Sequence, residues 1–268
     1  MPSSRPRGSQ VAKWAKSYAI IPVLLVFWEL LSRSGLINSR LFPPPSEIAV
    51  TIASLTTDGF PTGITAWTHV GASALRIVVG FLFASLVAIP LGVILGRSPW
   101  LRRFSDPVVG FSRSIAALAL LPLFVAWFGV GELTRLLLVA YAAFWIVLVN
   151  TTAAVLGVDP VYEEAATALG ANRRQVFIQV TLMAALPRIF TGLKVATGVA
   201  FLVIVAVEMV GTEKGVGALI SEAQTFFRSD IAISGMVFIA AMGILLATLM
   251  DVLERTLLPW RKGLEEQR

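Results

Sequence analysis

The chain has 268 residues, of which 56% are hydrophobic and 14% charged, with 22 Lys+Arg against 16 Asp+Glu. A soluble domain carries about 25% charged residues, and mean hydropathy here is +0.80, so soluble globular, disordered and collagen-like chains are excluded. Absence of cysteine and a single histidine, His69, leave no disulfide, thiolate nucleophile or His-based metal cluster to expect. The composition is that of an integral membrane protein.

A helix needs roughly 20 mostly apolar residues to cross the hydrocarbon core. In chain order, such runs fall at 18–37, 77–96, 107–130, 136–158, 189–211 and 231–250. The first is the weakest, because Glu29 and Arg33 occupy its last turns. Its length and the lack of a small-residue cleavage site argue against a signal peptide. The expected fold class is all-α, a polytopic membrane protein with six transmembrane helices.

Basic residues set the orientation. With a cytoplasmic N-terminus, inner segments hold Arg5, Arg7, Lys13, Lys16, Arg97, Arg102, Arg103, Arg113, Arg173, Arg174, Arg188, Lys194, Arg255, Arg261, Lys262 and Arg268. Outer segments keep only Arg33, Arg40, Arg76, Arg135, Lys214 and Arg228. Both termini are therefore expected inside. Trp14, Trp100 and Trp260 fall near the inner boundary, and Trp28, Trp67 and Trp127 near the outer one. The basic residues flank apolar runs and form no stripe, which speaks against a nucleic-acid partner. The outer segment 38–67 is stiffened by Pro43, Pro44 and Pro45.

The inner segment 159–187 carries the most local information. Asp159 then Pro160 is a helix start, the Ala-rich stretch after it propagates a helix, and Gly170 stops it. Asn172 with Gln175 forms a capping-box pattern that opens a second helix, which runs toward Pro187, the expected start of the fifth span. Two short helices thus meet at a glycine elbow, with Glu163 and Glu164 offering charge to a basic partner. Local physics leaves two readings open, an ordinary interfacial connector or a docking element.

Glu164-Ala165-Ala166, three residues, Gly170, nine residues, then Val180-Thr181-Leu182 resembles the EAA motif of ABC importer permeases. Met183 stands where that family usually has proline, and Pro187 matches a second proline often found there. Further stretches look like the permeases for nitrate, taurine and alkanesulfonates, the taurine type most of all. They are Leu41-Phe42-Pro43-Pro44-Pro45, Leu121-Pro122, Trp127-Phe128-Gly129-Val130-Gly131-Glu132, Ile189-Phe190-Thr191-Gly192-Leu193, Glu208 with Gly215-Val216-Gly217, and Leu258-Pro259-Trp260. After Arg113 the chain reads Ser114-Ile115-Ala116-Ala117 where relatives often carry prolines, so a less bent third span is expected.

The resemblance implies a type I ABC importer permease in a bacterial inner membrane, and a division of the chain. Residues 1–60 would hold the tail, first helix and Pro-rich loop; 61–262 a five-helix core with the coupling segment 159–187; 263–268 the C-terminal tail. It also implies partners: a second permease, two ATPases that bind ATP and Mg, and an extracytoplasmic solute-binding protein. The chain holds no Gly-x-x-x-x-Gly-Lys-Ser/Thr and is not expected to be catalytic by itself. The implied coupling residues are Glu163, Glu164, Ala165, Ala166, Gly170, Ala171 and Pro187.

An anion path should be lined by hydroxyls, amides and at most an isolated basic group. The candidates are Ser112, Arg113, Ser114, Asn150, Thr151, Thr152, Thr191 and Thr197, with hydroxyls also able to bond back to their own helix and Arg113 able to snorkel. Arg76 and Glu208, near the outer ends of spans, are a candidate gate pair. His69 is expected to be solvated or interfacial and Trp145 to pack. A secondary transporter would place ionisable groups at mid-membrane, which the middle thirds of these runs lack. A membrane assembly protein with a docking helix is the other alternative. Among substrates the expected order is taurine, other sulfonates, then nitrate or bicarbonate.

Overall fold

The computed structural model describes residues 20–60 and 63–259. Expectations that fall on Arg5, Arg7, Lys13, Trp14, Lys16, Trp260, Arg261, Lys262 and Arg268, or on the tail 263–268, lie outside the described residues. The helices are α1 (Ile20–Arg33), α2 (Pro45–Thr57), α3 (Ala66–Arg97) and α4 (Pro99–Ser114). A short 3-10 turn (Ala117–Leu120) leads to α5 (Leu121–Phe128), α6 (Glu132–Leu156) and α7 (Pro160–Ala168). Then come α8 (Arg173–Glu208), α9 (Val216–Thr225) and α10 (Ser229–Leu257). Helices α3, α6, α8 and α10 are each long and apolar enough to cross a membrane. A fifth span counts α4 with the following turn and α5 as a pair bent by 81°, and α1 is the sixth apolar helix. The fold is all-α.

The chain divides into two compact units, Met1–Ala66 with Leu219–Val237, and Trp67–Ala218 with Phe238–Arg268. In the first, Glu29 has a local reason to sit in an apolar run. Its carboxylate accepts from the Ser46 N–H at 3.0 Å and from Ser46 Oγ at 2.7 Å, supplying an acceptor to the first turn of α2, while Arg33 Nε donates to it at 2.6 Å. The Pro-rich stretch does not stay extended. Pro44 keeps φ −67° and ψ 146°, but Pro45 opens α2, which buries Ile48, Thr51 and Leu55, one face of a helix. Asp230 accepts from Thr51 Oγ1 at 3.2 Å.

The second unit is built on a ladder of small residues. On α3, Gly80, Ala84, Ala88, Gly92 and Gly96 recur every fourth residue and turn toward α6. A Cβ at Gly92 would stand 2.7 Å from Thr151 Cβ, and one at Gly96 would stand 2.7 Å from Val155 Cβ. The offset is the same at Gly80 with Val139, so the two helices run parallel with backbones close together. Membrane helices associate through such small-residue contacts, since lipid offers no hydrophobic drive between them. Helix α8 packs antiparallel to α6, with Gly192 against Asn150. Around these helices Ile77, Phe81, Leu138, Val147, Ala196 and Ile204 form the core.

Two expectations about backbone shape are corrected. The third span is strongly bent although the prolines after Arg113 are missing. Ile115 (φ −80°, ψ 116°) and Ala116 (φ −62°, ψ 129°) are extended. Tyr141 Oη donates to the Ser112 carbonyl at 2.6 Å, holding the helix end from outside. Pro187 does not begin a span; it lies inside the continuous helix α8. A π turn at Val176–Thr181 precedes it, and such local loosening lets a helix absorb a missing donor.

Candidate functional site

At one end of the second unit, α7 and α8 meet in the elbow read from the sequence. Asp159 Oδ1 accepts from the Val161 N–H at 3.0 Å, with Pro160 at the first helical position. Past the last turn, Gly170 takes φ +89°, its N–H donates to Thr167 O at 3.0 Å, and the Ala171 N–H donates to Ala166 O at 3.1 Å. These two bonds complete a Schellman stop. A Cβ at Gly170 would meet nothing within 4 Å, so glycine is there for its backbone angle and not for space. Asn172 and Gln175 exchange both capping-box bonds, at 2.9 and 3.0 Å. Every backbone signal from Asp159 to Gln175 is realised.

Glu163 and Glu164 differ in their contacts. Glu163 Oε1 accepts from Thr181 Oγ1 at 2.5 Å, tying α7 to the π turn. Glu164 is exposed and, like Glu163, lines an open groove of about 640 Å³ with Arg97, Thr167, Ala168, Ala171 and Arg173. The Arg97 guanidinium lies 4.2 Å from the centre of the Phe177 ring, a cation–π contact that fixes the end of α3 against the turn. Helix α7 buries no residue of its own; Leu169 is 90% exposed, and Val161 and Tyr162 are exposed as well. Of the other expected residues, Ala165 is exposed, and Ala166 and Pro187 are half-buried.

The opposite end holds a closed polar network. Arg76 Nη1 donates to Glu208 Oε1 at 2.7 Å and to Lys214 O at 2.6 Å. Its Nε and Nη2 grip Glu132 in a two-point pair at 2.6 and 2.5 Å. Arg135 Nη1 donates to Glu132 at 2.9 Å and Nη2 to Gly211 O at 2.8 Å. Glu208, fully buried, also accepts from Ser73 Oγ at 2.7 Å and from the Gly217 N–H at 3.1 Å. His69 is not solvated. It is buried, with Nδ1 2.9 Å from Gly215 O. The sequence reading missed Ser73, Glu132 and Arg135 here. A signal existed: His69, Ser73 and Arg76 are polar residues at helical spacing on one face of α3.

Between these ends lies a cavity of about 490 Å³, lined by Arg113, Ile115, Ala116, Tyr141, Trp145 and Asn150 among others. The break after α4 places Arg113 here. Because Tyr141 holds the Ser112 carbonyl, Arg113 in the last turn of α4 stands about 13 Å along α6 from Glu132. Asn150 Nδ2 donates to Ile146 O at 2.8 Å.

The remaining candidates are scattered. Thr151 is buried against Gly92. Ser114, Thr152, Thr191 and Thr197 bond back to carbonyls four residues earlier. Thr197 lines a small crevice of about 140 Å³ beside Lys194. Lys194 itself reaches Asp251 Oδ1 at 2.5 Å and pairs with Glu254.

The long apolar helices, the small-residue packing between them and the broken helix beside the cavity are features of a polytopic membrane protein. The model of the family described as binding-protein-dependent transport system inner membrane component matches residues 88–263. The chain belongs to this family. It is 36% identical to the taurine transport system permease protein TauC of Escherichia coli (strain K12), over 91% of this chain and 89% of that one. It is 32% identical to a putative aliphatic sulfonates transport permease protein SsuC of Bacillus subtilis (strain 168), covering 94% and 90%. With the nitrate import permease protein NrtB of Leptolyngbya laminosa it shares 30%, covering 88% and 85%. The fold matches a chain of the MetNI methionine ABC transporter in an inward-facing conformation, with TM-score 0.61 at 19% identity, over 70% of this chain and 94% of that one. The architecture is thus that of a type I ABC importer permease, a multi-pass inner-membrane component.

Proposed function

We propose that this permease forms half of the path by which an ATP-driven importer takes up a small sulfonate, taurine first, then other sulfonates, with nitrate or bicarbonate behind them. The observation that carries the reading is the exposed, rigidly stopped helix α7. It keeps Glu164, Val161, Tyr162 and Leu169 on its surface while Glu163 fastens it to α8. A helix anchored by one side and bare on the other transmits a push without unfolding. A separate ATPase subunit binds α7, and Glu164 accepts a charge-assisted hydrogen bond from a basic side chain of that subunit. Gly170 and Ala171 hold the elbow angle; Ala165 and Ala166 allow close approach; Pro187 lies on the helix that receives the motion.

The ATPases bind ATP and Mg, a soluble binding protein delivers the substrate from outside, and two permease copies enclose the path. Both chain termini face the cytoplasm. The substrate assignment rests on the relatives named for taurine, sulfonate and nitrate transport. Residues 61–262 act as the permease core, and 1–60 as an added helix with its outer loop. Ser112, Arg113, Ser114 and Asn150 edge the path. Arg76 and Glu208 hold the outer end of three helices shut.

Reconstitution with its ATPases and binding protein in liposomes tests this directly. Labelled taurine should accumulate only with ATP and binding protein together. Accumulation driven by an ion gradient without ATP would establish the secondary-transporter alternative instead, and no accumulation of any sulfonate, nitrate or bicarbonate would leave the assembly-protein reading.

A further inference from the structure

The 490 Å³ cavity has an uneven chemistry that the pathway reading does not use. Among the described residues, no Asp or Glu lines it. Its hydroxyl, on Tyr141, is spent on the Ser112 carbonyl, and the Asn150 amide donates to its own helix. Arg113 makes no ion pair among the described residues. Trp145 lines the same cavity, and its indole Nε1–H is shielded from water yet donates to no acceptor among them. A buried donor left without a partner costs about 1–3 kcal/mol, so native structures keep few of them. Simple packing does not need the nitrogen, since a phenyl ring would fill apolar space without that cost.

From these observations we infer that Arg113 and the Trp145 indole N–H act in sequence on one oxyanion head group. This rests on the transport reading above. Arg113, exposed at the cavity mouth, meets the anion first. The indole N–H is behind the cavity wall, so an oxygen reaches it only as the wall moves during passage. The ligand class is a small sulfonate or planar oxyanion with a short apolar remainder, matching the Ala, Ile and Val lining. Tyr141 and Phe144 hold the indole in place, with ring centroids 6.1 and 4.8 Å away in edge-on geometry.

The order of contact makes the two residues kinetically distinct. Removing the indole N–H should lower the maximal uptake rate about tenfold, the size of one hydrogen bond to a charged group, with little change in KM. Arg113→Gln should raise KM. The test uses the reconstituted complex with taurine and ethanesulfonate as probes. Trp145 is replaced by its benzothiophene isostere, which keeps the fused ring and loses only the N–H, and separately by Phe. A slow isostere with normal assembly and normal basal ATP hydrolysis supports the inference. An isostere that transports like the parent overturns it, even if Trp145→Phe is slow, because only packing would then be at stake. If the parent complex carries neither probe with ATP, the sulfonate reading fails first and takes this inference down with it.

Discussion

Glu208 Oε1 lies 2.7 Å from Arg76 Nη1, joining the end of α8 to α3 across a contact buried on both sides. Glu132 at the start of α6 closes the same guanidinium from its other edge. Three helices that run in two directions are thereby fixed at one level, with the 209–217 turn bonded beneath through Lys214 O and Gly211 O.

Breaking that pair from one side strands a charge. Arg76→Ala leaves Glu208 fully buried with its strongest partner gone, a change that costs about 3–5 kcal/mol. For a chain this size that corresponds to a drop of roughly 6–20 °C in melting temperature. Thermal unfolding of the purified permease in detergent measures it. A drop below a few degrees would show that the network carries little of the fold.

Close helix approach at Gly92 yields a second expectation. Gly92→Val puts branched carbons where Thr151 already stands, and overpacking costs about 1–3 kcal/mol. Gly71→Ala is the matched control, since a Cβ there meets nothing within 4 Å. The first variant should lose yield and thermal stability in detergent while the second keeps both.

At the elbow, backbone strain and steric space come apart. Gly170→Val has room for its side chain but must hold φ +89°, which costs about 1–2 kcal/mol for a residue with a Cβ. Gly170→Asn, a residue that tolerates this region, should be nearly silent. The expected result is a folded Gly170→Val permease that assembles, but in whose complex the partner ATPase is no longer stimulated by loaded binding protein. Equal stimulation in both variants would remove the elbow from the coupling path.

The tie between Glu163 and Thr181 is tested without touching the exposed face of α7. Thr181→Val deletes the donor to Glu163 and leaves Glu164, Tyr162 and Leu169 where they are. Uptake per ATP hydrolysed should fall, because α7 then loses its side-chain hydrogen bond to the π turn, and co-purification with the ATPase should persist. Loss of co-purification would mean that the bond shapes the docking face itself.

A last expectation concerns Lys194. Lys194→Met leaves Asp251 and Glu254 facing each other without their shared cation. Two carboxylates left without their cation repel each other, so the variant should melt below the parent in detergent, and an equal melting temperature would show that the ion pairs carry little of the fold.

The segment 159–187 was legible almost residue by residue. Asp159, Pro160, Gly170, Asn172 and Gln175 act on backbone groups within a few positions, so their effects are written in local order. Apolar runs were legible for the same reason, since solvation by lipid depends on composition along one helix. Helix α2 was hidden behind Pro43–Pro45, whose extended character ends at Pro44. The burial of Ile48, Thr51 and Leu55 needed a neighbour to pack against. The bend after Ser114 was misjudged because proline was sought as its cause, when a hydroxyl from Tyr141, far along the chain, stabilises the helix end. His69 was misread because an isolated polar residue in an apolar stretch says nothing about what lies across from it.

What this chain determined by itself was the list of helices that must lie in lipid and the stops, caps and elbow between two of them, all set by interactions a few residues long. Only the tertiary structure decided which charges meet, which of Glu163 and Glu164 turns inward, and which donors border the cavity. Those outcomes depend on residues brought together from distant positions, and the energy of a buried charge or an unpartnered N–H is a property of its surroundings, not of the residue that carries it.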